Sequence, residues 1–230
     1  MVLFNTDLLE RYGSSDQTLR LLEEAREAGD EGFSSHRWLA ESLPKRMIYW
    51  RMYGDLLDGT GESQRILDVG GGYCSLTRLL LKQHAYTLLD TIDNDDPGAL
   101  RAIERSAGKR FWEQEDWSDH KTASRYDVIL ANDLFPNVDQ RLELFIDTFL
   151  PRCREMRISL TYYNRMQCYR AKRLDGTEIL HVLAWNGAMV RQVLEKYGRH
   201  LVEPQLERLT EDPPSLFKNN RQVCLVTLRA

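Results

Sequence analysis

The stretch Ile66-Leu67-Asp68-Val69-Gly70-Gly71-Gly72-Tyr73-Cys74-Ser75-Leu76-Thr77 decides how the chain is read. The short apolar run Arg65–Val69 predicts a buried strand, and Ser75–Gln83 predicts a helix. Three glycines lie between them. Glycines at such a junction let the backbone turn sharply and let a ligand lie against the main chain. The helix N-terminus behind them favours a negative ligand group. In open α/β sheets ligands bind at the carboxyl ends of the strands, so this junction is predicted to border a binding site.

Outward from it, strands and helices alternate. Tyr86–Leu89 predicts a strand and Gly98–Ser106 a helix; Arg110–Gln114 predicts a third strand. Tyr126–Ala131 reads as a buried strand, followed by a helix near Gln140–Phe149 and a strand over Met156–Tyr162. That alternation predicts an α/β fold: a Rossmann-like, mostly parallel seven-stranded sheet with helices on both faces. Residues 1–60 read as helical instead, with Asp16 as an N-cap, a helix from Ser35 to Glu41, and Pro44 opening another that reaches Leu57. They are expected to form an N-terminal lid on a domain spanning residues 61–230. After Tyr163 the alternation breaks. Two strand-like runs, Met166–Leu174 and Thr177–Trp185, flank Asp175-Gly176, a strong hairpin signal, so an inserted β-hairpin is expected at about 164–185. Asn186 is placed to cap the next helix, and strand-like Leu201–Arg208 and Gln222–Leu228 close the chain.

Bulk properties narrow the function. The chain has 230 residues, 42% hydrophobic and 29% charged, which suits one globular domain with an accessory segment. Its net charge of −4 argues against nucleic acid as a partner. Cys74, Cys153, Cys168 and Cys224 form no C-x-x-C pair and read as reduced thiols, not a disulfide framework or metal site. No basic leader or membrane-length apolar run is evident, so a cytoplasmic protein without a membrane partner is expected. A homodimer is left open as an assembly.

Two nucleotide-binding readings compete at the glycines. The dinucleotide fingerprint G-x-G-x-x-G fits Gly70 and Gly72 but meets Ser75 where the third glycine belongs. Asp68 stands two residues before Gly70. A carboxylate there suits the positive end of a sulfonium amino acid better than a pyrophosphate. Asp68-x-Gly70-x-Gly72 resembles motif I, D/E-x-G-x-G-x-G, of the class I S-adenosylmethionine-dependent methyltransferases of small-molecule type. Cys74 replaces the third glycine of that motif. The resemblance runs in order over roughly residues 65–160.

The resemblance implies a set of cofactor contacts. Tyr86-Thr87-Leu88-Leu89-Asp90 resembles the family's second strand, whose terminal acid accepts from the ribose hydroxyls; Asp93 competes with Asp90 for that role. Glu115-Asp116-Trp117 resembles the adenine-gripping segment, with Asp116 accepting from the exocyclic amine and Trp117 packing on the ring. Tyr126 to Phe135 resembles motif IV, which places Asn132 and Asp133 near the reacting centre. Gly70, Gly71 and Gly72 would meet the S-adenosylmethionine through their main chain, beside Asp68. Arg46, Tyr49, Trp50 and Tyr53 recur at helical spacing and could meet the cofactor carboxylate through Arg46 and a tyrosine hydroxyl. The same spacing suits an amphipathic packing face.

Methyl transfer from a sulfonium is a displacement in which positioning alone can contribute about 7–11 kcal/mol. Asp133 is the candidate catalytic residue, as a base or as the anchor of a cationic amine. With Asp139 and Glu143 it forms an acidic set that suits a nitrogen acceptor. No histidine follows motif IV as in plant-type O-methyltransferases, no double-glutamate loop is evident, and no second acid suggests a magnesium site. A small-molecule nitrogen acceptor in a biosynthetic pathway is therefore preferred over a hydroxylated metabolite. A nicotinamide-dependent oxidoreductase and a non-catalytic binding subunit are the competing classes.

Overall fold

The computed structural model describes residues 1–92, 95–172 and 179–230. In chain order the elements are β1 (Val2–Leu3), α1 (Thr6–Gly13), α2 (Gln17–Glu24), α3 (Ser34–Glu41), α4 (Leu43–Leu57), β2 (Arg65–Val69), α5 (Ser75–Gln83), β3 (Ala85–Leu89), α6 (Pro97–Ala107), β4 (Trp112–Glu113), β5 (Tyr126–Phe135), α7 (Leu142–Phe149), β6 (Cys153–Tyr163), β7 (Gln167–Lys172), β8 (Ile179–Ala184), α8 (Gly187–Glu195) and β9 (Arg221–Arg229). Local chemistry sets several boundaries. The Asp16 carboxylate accepts from the Leu19 amide, and Asn186 Oδ1 accepts from that of Met189. Ser42 Oγ caps α4, with Pro44 in the first turn, where its missing N–H costs nothing.

Among the described residues the main sheet has seven strands in the order β1-β9-β6-β5-β2-β3-β4. The pairs β6–β5, β5–β2, β2–β3 and β3–β4 are parallel; β9 is antiparallel to both β6 and β1. The predicted Rossmann-like α/β sheet with helices on both faces is thus observed. One expected strand, Leu201–Arg208, does not form. Of the segment Leu201–Arg208, only Leu201 bridges to β9, opposite Leu228. Pro204 carries no N–H to extend a ladder, and a 3₁₀ turn follows at Leu206–Thr210. The N-terminal β1 pairs with Cys224 and Leu225 of β9 instead.

The hairpin strands β7 and β8 pair as a separate two-stranded sheet, Gln167 opposite Ala184 and Lys172 opposite Ile179. The expected Asp175-Gly176 turn lies outside the described residues. No helix among the described residues is long and apolar enough to cross a membrane.

Two cores flank the sheet. On one face α7 and α8 bury Phe145, Phe149, Val190 and Leu194 against β5 and β6. On the other, the N-terminal helices share a single core with the sheet and α5. It runs from Tyr12, Leu22 and Phe33 through Met52 and Tyr53 to Leu88 on β3 and to Val223 and Leu225 on β9.

A buried ionic knot joins these helices to α5. Asp30 is 1% exposed; its carboxylate accepts from the Ser75 hydroxyl (2.7 Å) and pairs with Arg78, whose Nη2 lies 2.9 Å from Oδ1. The imidazole of His36 reaches the same hydroxyl at 3.0 Å. Near the C-terminal end of α4, the Arg157 guanidinium of β6 grips the Asp55 carboxylate with both terminal nitrogens, at 2.6 and 2.7 Å. Removing one partner of a buried pair strands the other charge. Asp30→Ala is therefore expected to lower the unfolding free energy by about 3 kcal/mol or more in a urea titration, with Arg78 left to Glu27 alone.

Candidate functional site

The glycine bend forms at the carboxyl end of β2. Gly70 and Gly72 hold φ of +68° and +64°, a region costly for residues with a side chain. A Cβ on Gly71 would collide with the Asp68 carboxylate, and one on Gly72 with the Ser35 hydroxyl of α3. The bend is thus pressed between a buried acid below and an N-terminal helix above.

A cleft with a cavity volume of about 440 Å³ opens over the bend. Gly70, Gly71, Gly72, Tyr49, Asp90, Asn132 and Asp133 all line it. A second hollow of about 390 Å³ shares Gly70, Asp90, Thr91, Leu134 and Val138 with the first, and is lined further by Asp116 and Trp117. Asp90 borders both. Its Oδ2 accepts from the Gly72 amide (2.9 Å) and its Oδ1 from the Ile92 amide (2.8 Å), which ties the tip of β3 to the bend. Asp93 lies outside the described residues.

Two residues expected at the cofactor are placed elsewhere. Asp68 does not line the cleft. It is 3% exposed beneath the bend, and its carboxylate accepts from the hydroxyls of Tyr86 (2.7 Å) and Tyr53 (3.0 Å). Arg46 does not line the cleft either. Its guanidinium pairs with Asp16 at 3.0 Å and donates to the carbonyls of Leu39 and Ala40, both at 2.8 Å, so it joins α2, α3 and α4. Of the spaced face on α4, only Tyr49 reaches the cleft, stacked on Tyr53 with ring centroids 4.1 Å apart.

Trp117, expected to pack on the adenine ring, lines the second hollow but has its indole largely enclosed by the chain. Phe135, Phe145 and Phe149 surround the indole, its N–H donates to Asp139 (2.8 Å), and the Arg141 guanidinium lies 4.6 Å from its ring centroid. Arg141 is held there by Asp116 (3.0 Å) and Asp139 (2.6 Å). Glu143 pairs with Lys196 at the surface. The acidic set therefore disperses, and of its three members only Asp133 lines the larger cleft.

Asp133 sits in an irregularity of β5. Between the pairs Ala131–Ile158 and Phe135–Leu160, three β5 residues face the single residue Ser159 of β6. Such a bulge re-aims side chains at the end of a strand. Asp133 takes φ +57°, its amide donates to Ser159 Oγ (2.8 Å), and that hydroxyl donates to Asn132 Oδ1 (2.7 Å). Thr161 Oγ donates to the Asp133 carboxylate at 2.8 Å, and Arg221 Nη1 lies 3.2 Å from it. Ser159, Thr161, Lys45 and Arg221 escaped the sequence reading. The two hydroxyls alternate on one face at the apolar C-terminal end of β6, opposite Ile158, Leu160 and Tyr162, a period-two signal that could have marked them. The cations had no such signal, because their neighbours come from distant segments.

Burial pushes the Asp68 carboxyl up, the nearby charge of Asp90 adds to this, and the Tyr86 and Tyr53 hydroxyls pull it back; it settles at about 7. A folded-state value raised above the unfolded one contributes stability at low pH that is lost as pH rises through about 7. Asp68→Asn removes this loss. Its unfolding free energy relative to the unaltered protein is expected to grow from pH 4 to about 7 and then level, by about 4 kcal/mol. Urea titrations across that range check it; a difference independent of pH would refute the assignment.

No protein-family model and no curated protein matches the sequence. Solved structures do resemble the fold. The N-terminal domain of EvdMO1 with SAH bound gives a TM-score of 0.56 at 15% identity, covering 93% of this chain and 96% of that one. N-methyltransferase NodS from Bradyrhizobium japonicum WM9, in complex with S-adenosyl-L-homocysteine, gives 0.50 at 17% identity, covering 92% and 97%. Magnesium protoporphyrin IX methyltransferase from Synechocystis PCC 6803, with bound SAM, gives 0.51 at 12% identity, covering 98% and 96%. The chain has the fold of class I S-adenosylmethionine-dependent methyltransferases.

Proposed function

We propose that this chain transfers a methyl group from S-adenosylmethionine to a small-molecule acceptor. The observation that carries the reading is the junction of the Gly70–Gly72 bend with Asp90 in one cleft: a wall free of Cβ atoms beside a carboxylate at the tip of the neighbouring strand. The residues fit the cofactor. Asp90 would hold the ribose hydroxyls, since a carboxylate has about four acceptor positions and can share them with backbone amides. Asp116 and the Arg141 guanidinium would border the adenine in the second hollow, in place of the Trp117 face. Tyr49 and the bend would border the methionine part.

Bound there, the cofactor supplies an electrophilic methyl group on a sulfonium. The chain's own work is to orient the acceptor and keep water out, which is where most of the rate comes from in such a displacement. Asn132 and Asp133 are held rigidly by Ser159 and Thr161, so the Asp133 carboxylate is a fixed acceptor for the proton that leaves the nucleophile. In this reading the nucleophile is a nitrogen, whose proton the carboxylate can take. The N-terminal helices close the cleft from above through Ser35 and Tyr49.

Asp90→Ala is expected to weaken binding of S-adenosylhomocysteine by about 1.5–3 kcal/mol, roughly 10- to 100-fold, with the fold retained. Isothermal titration calorimetry reads this directly, and unchanged affinity would remove Asp90 from the site. Asp133→Asn is expected to bind S-adenosylhomocysteine as the unaltered protein does, but to lose about 10²-fold or more in kcat toward its acceptor. Full activity in that variant would exclude the carboxylate from proton transfer.

A further inference from the structure

The end of the cleft away from Asp90 is built around two cations and one carboxylate. Arg221 opens β9, and Lys45 lies in the first turn of α4. Both line the cleft with Asp133. The strand order puts β2, β5 and β6 between β3 and β9. At about 4.8 Å per strand, Arg221 enters the cleft about 19 Å from the strand that carries Asp90. Asp133, on β5, lies between them.

Among the described residues neither cation is fully matched. Arg221 uses one terminal nitrogen on Asp133, and its Nε is buried with no hydrogen-bond partner among the described residues. The guanidinium is otherwise laid on the Phe217 ring, 4.1 Å from its centroid. Lys45 has no carboxylate within salt-bridge distance among the described residues; its ammonium sits 4.5 Å from the centroid of the Trp38 ring. Burial lowers its pKa, with Arg221 lowering it further and Asp133 opposing. Half-buried cations with so little compensation are costly unless an anion joins them. Around them Trp38, Ile48 and Val223 supply an apolar wall.

We propose that the methyl acceptor is a small organic acid, with its carboxylate held between Arg221 and Lys45 and its apolar body against Trp38, Ile48 and Val223. This rests on the methyltransferase reading and specifies its substrate class. A planar carboxylate matches the two-nitrogen edge of Arg221 that Asp133 leaves over. The nucleophilic atom of the same molecule then faces Asp133. A purely cationic amine would meet two like charges there.

The test is binding to the full chain saturated with S-adenosylhomocysteine. Benzoate and para-aminobenzoate are compared with benzamide and para-aminobenzamide, which keep the shape and lack the charge. Calorimetry is expected to show saturable binding of the acids at low-millimolar concentration and none of the amides. Arg221→Gln and Lys45→Met should each weaken the acids about tenfold or more while S-adenosylhomocysteine affinity stays unchanged. Lys45 makes no side-chain hydrogen bond among the described residues, so its variant leaves the hydrogen bonds of Asp133 in place. Equal binding of acids and amides, or no binding of either, would overturn the inference. So would a parallel loss of S-adenosylhomocysteine in both variants, which would assign the cations to the carboxylate of the donor. If the unaltered protein fails to bind S-adenosylhomocysteine at all, the methyltransferase reading itself falls, and this inference falls with it.

Discussion

The structure depends on how the backbone crosses a buried carboxyl group. At Gly71 the chain passes so close to Asp68 that no side chain fits, and the acid below is fixed by two tyrosine hydroxyls from α4 and β3. At Gly72 the opposite surface of the same bend is occupied by Ser35 of α3. One short segment therefore sets the spacing between the sheet and the N-terminal helices. The Asp90 carboxylate then binds the Gly72 amide, so the tip of the next strand is registered to the bend by the same contact that shapes the cleft.

The other wall is shaped by polar groups inside an apolar sheet. Ser159 and Thr161 are almost wholly buried, at 0% and 2% exposure, and each hydroxyl has a partner on the β5 bulge. Buried hydroxyls without partners would cost stability, so their placement and the left-handed backbone at Asp133 support one another. The bulge turns what would be two more ladder residues into a rigid shelf that carries Asn132 and Asp133 into the cleft.

Charge is divided along the length of the cleft. Carboxylates gather near β3 and the second hollow, where Arg141 balances Asp116 and Asp139. Among the described residues the β9 side sets Lys45 and Arg221 against Asp133. A donor that is cationic at its reacting sulfur and an acceptor that is anionic would each find opposite charge nearby. Arg46, by contrast, does its work inside the helical layer, where a guanidinium can satisfy Asp16 and two carbonyls left over at the end of α3.

By itself the sequence determined the alternation of strands and helices from Arg65 to Tyr163, the glycine bend, the acid at the tip of β3 and the hairpin strands after Tyr163. These follow from local periodicity and from backbone demands that only certain residues meet, and both are written in contiguous residues. Only the tertiary structure decided which side chains face the cleft. Asp68 and Arg46 carry the right chemistry but are consumed by partners from other elements, while Lys45 and Arg221, from segments far apart in the chain, converge near Asp133. β1 pairs at the β9 edge, whereas Leu201–Arg208, read as a strand, touches β9 through Leu201: which segment pairs at a sheet edge depends on residues far apart in the chain, and no local pattern records that.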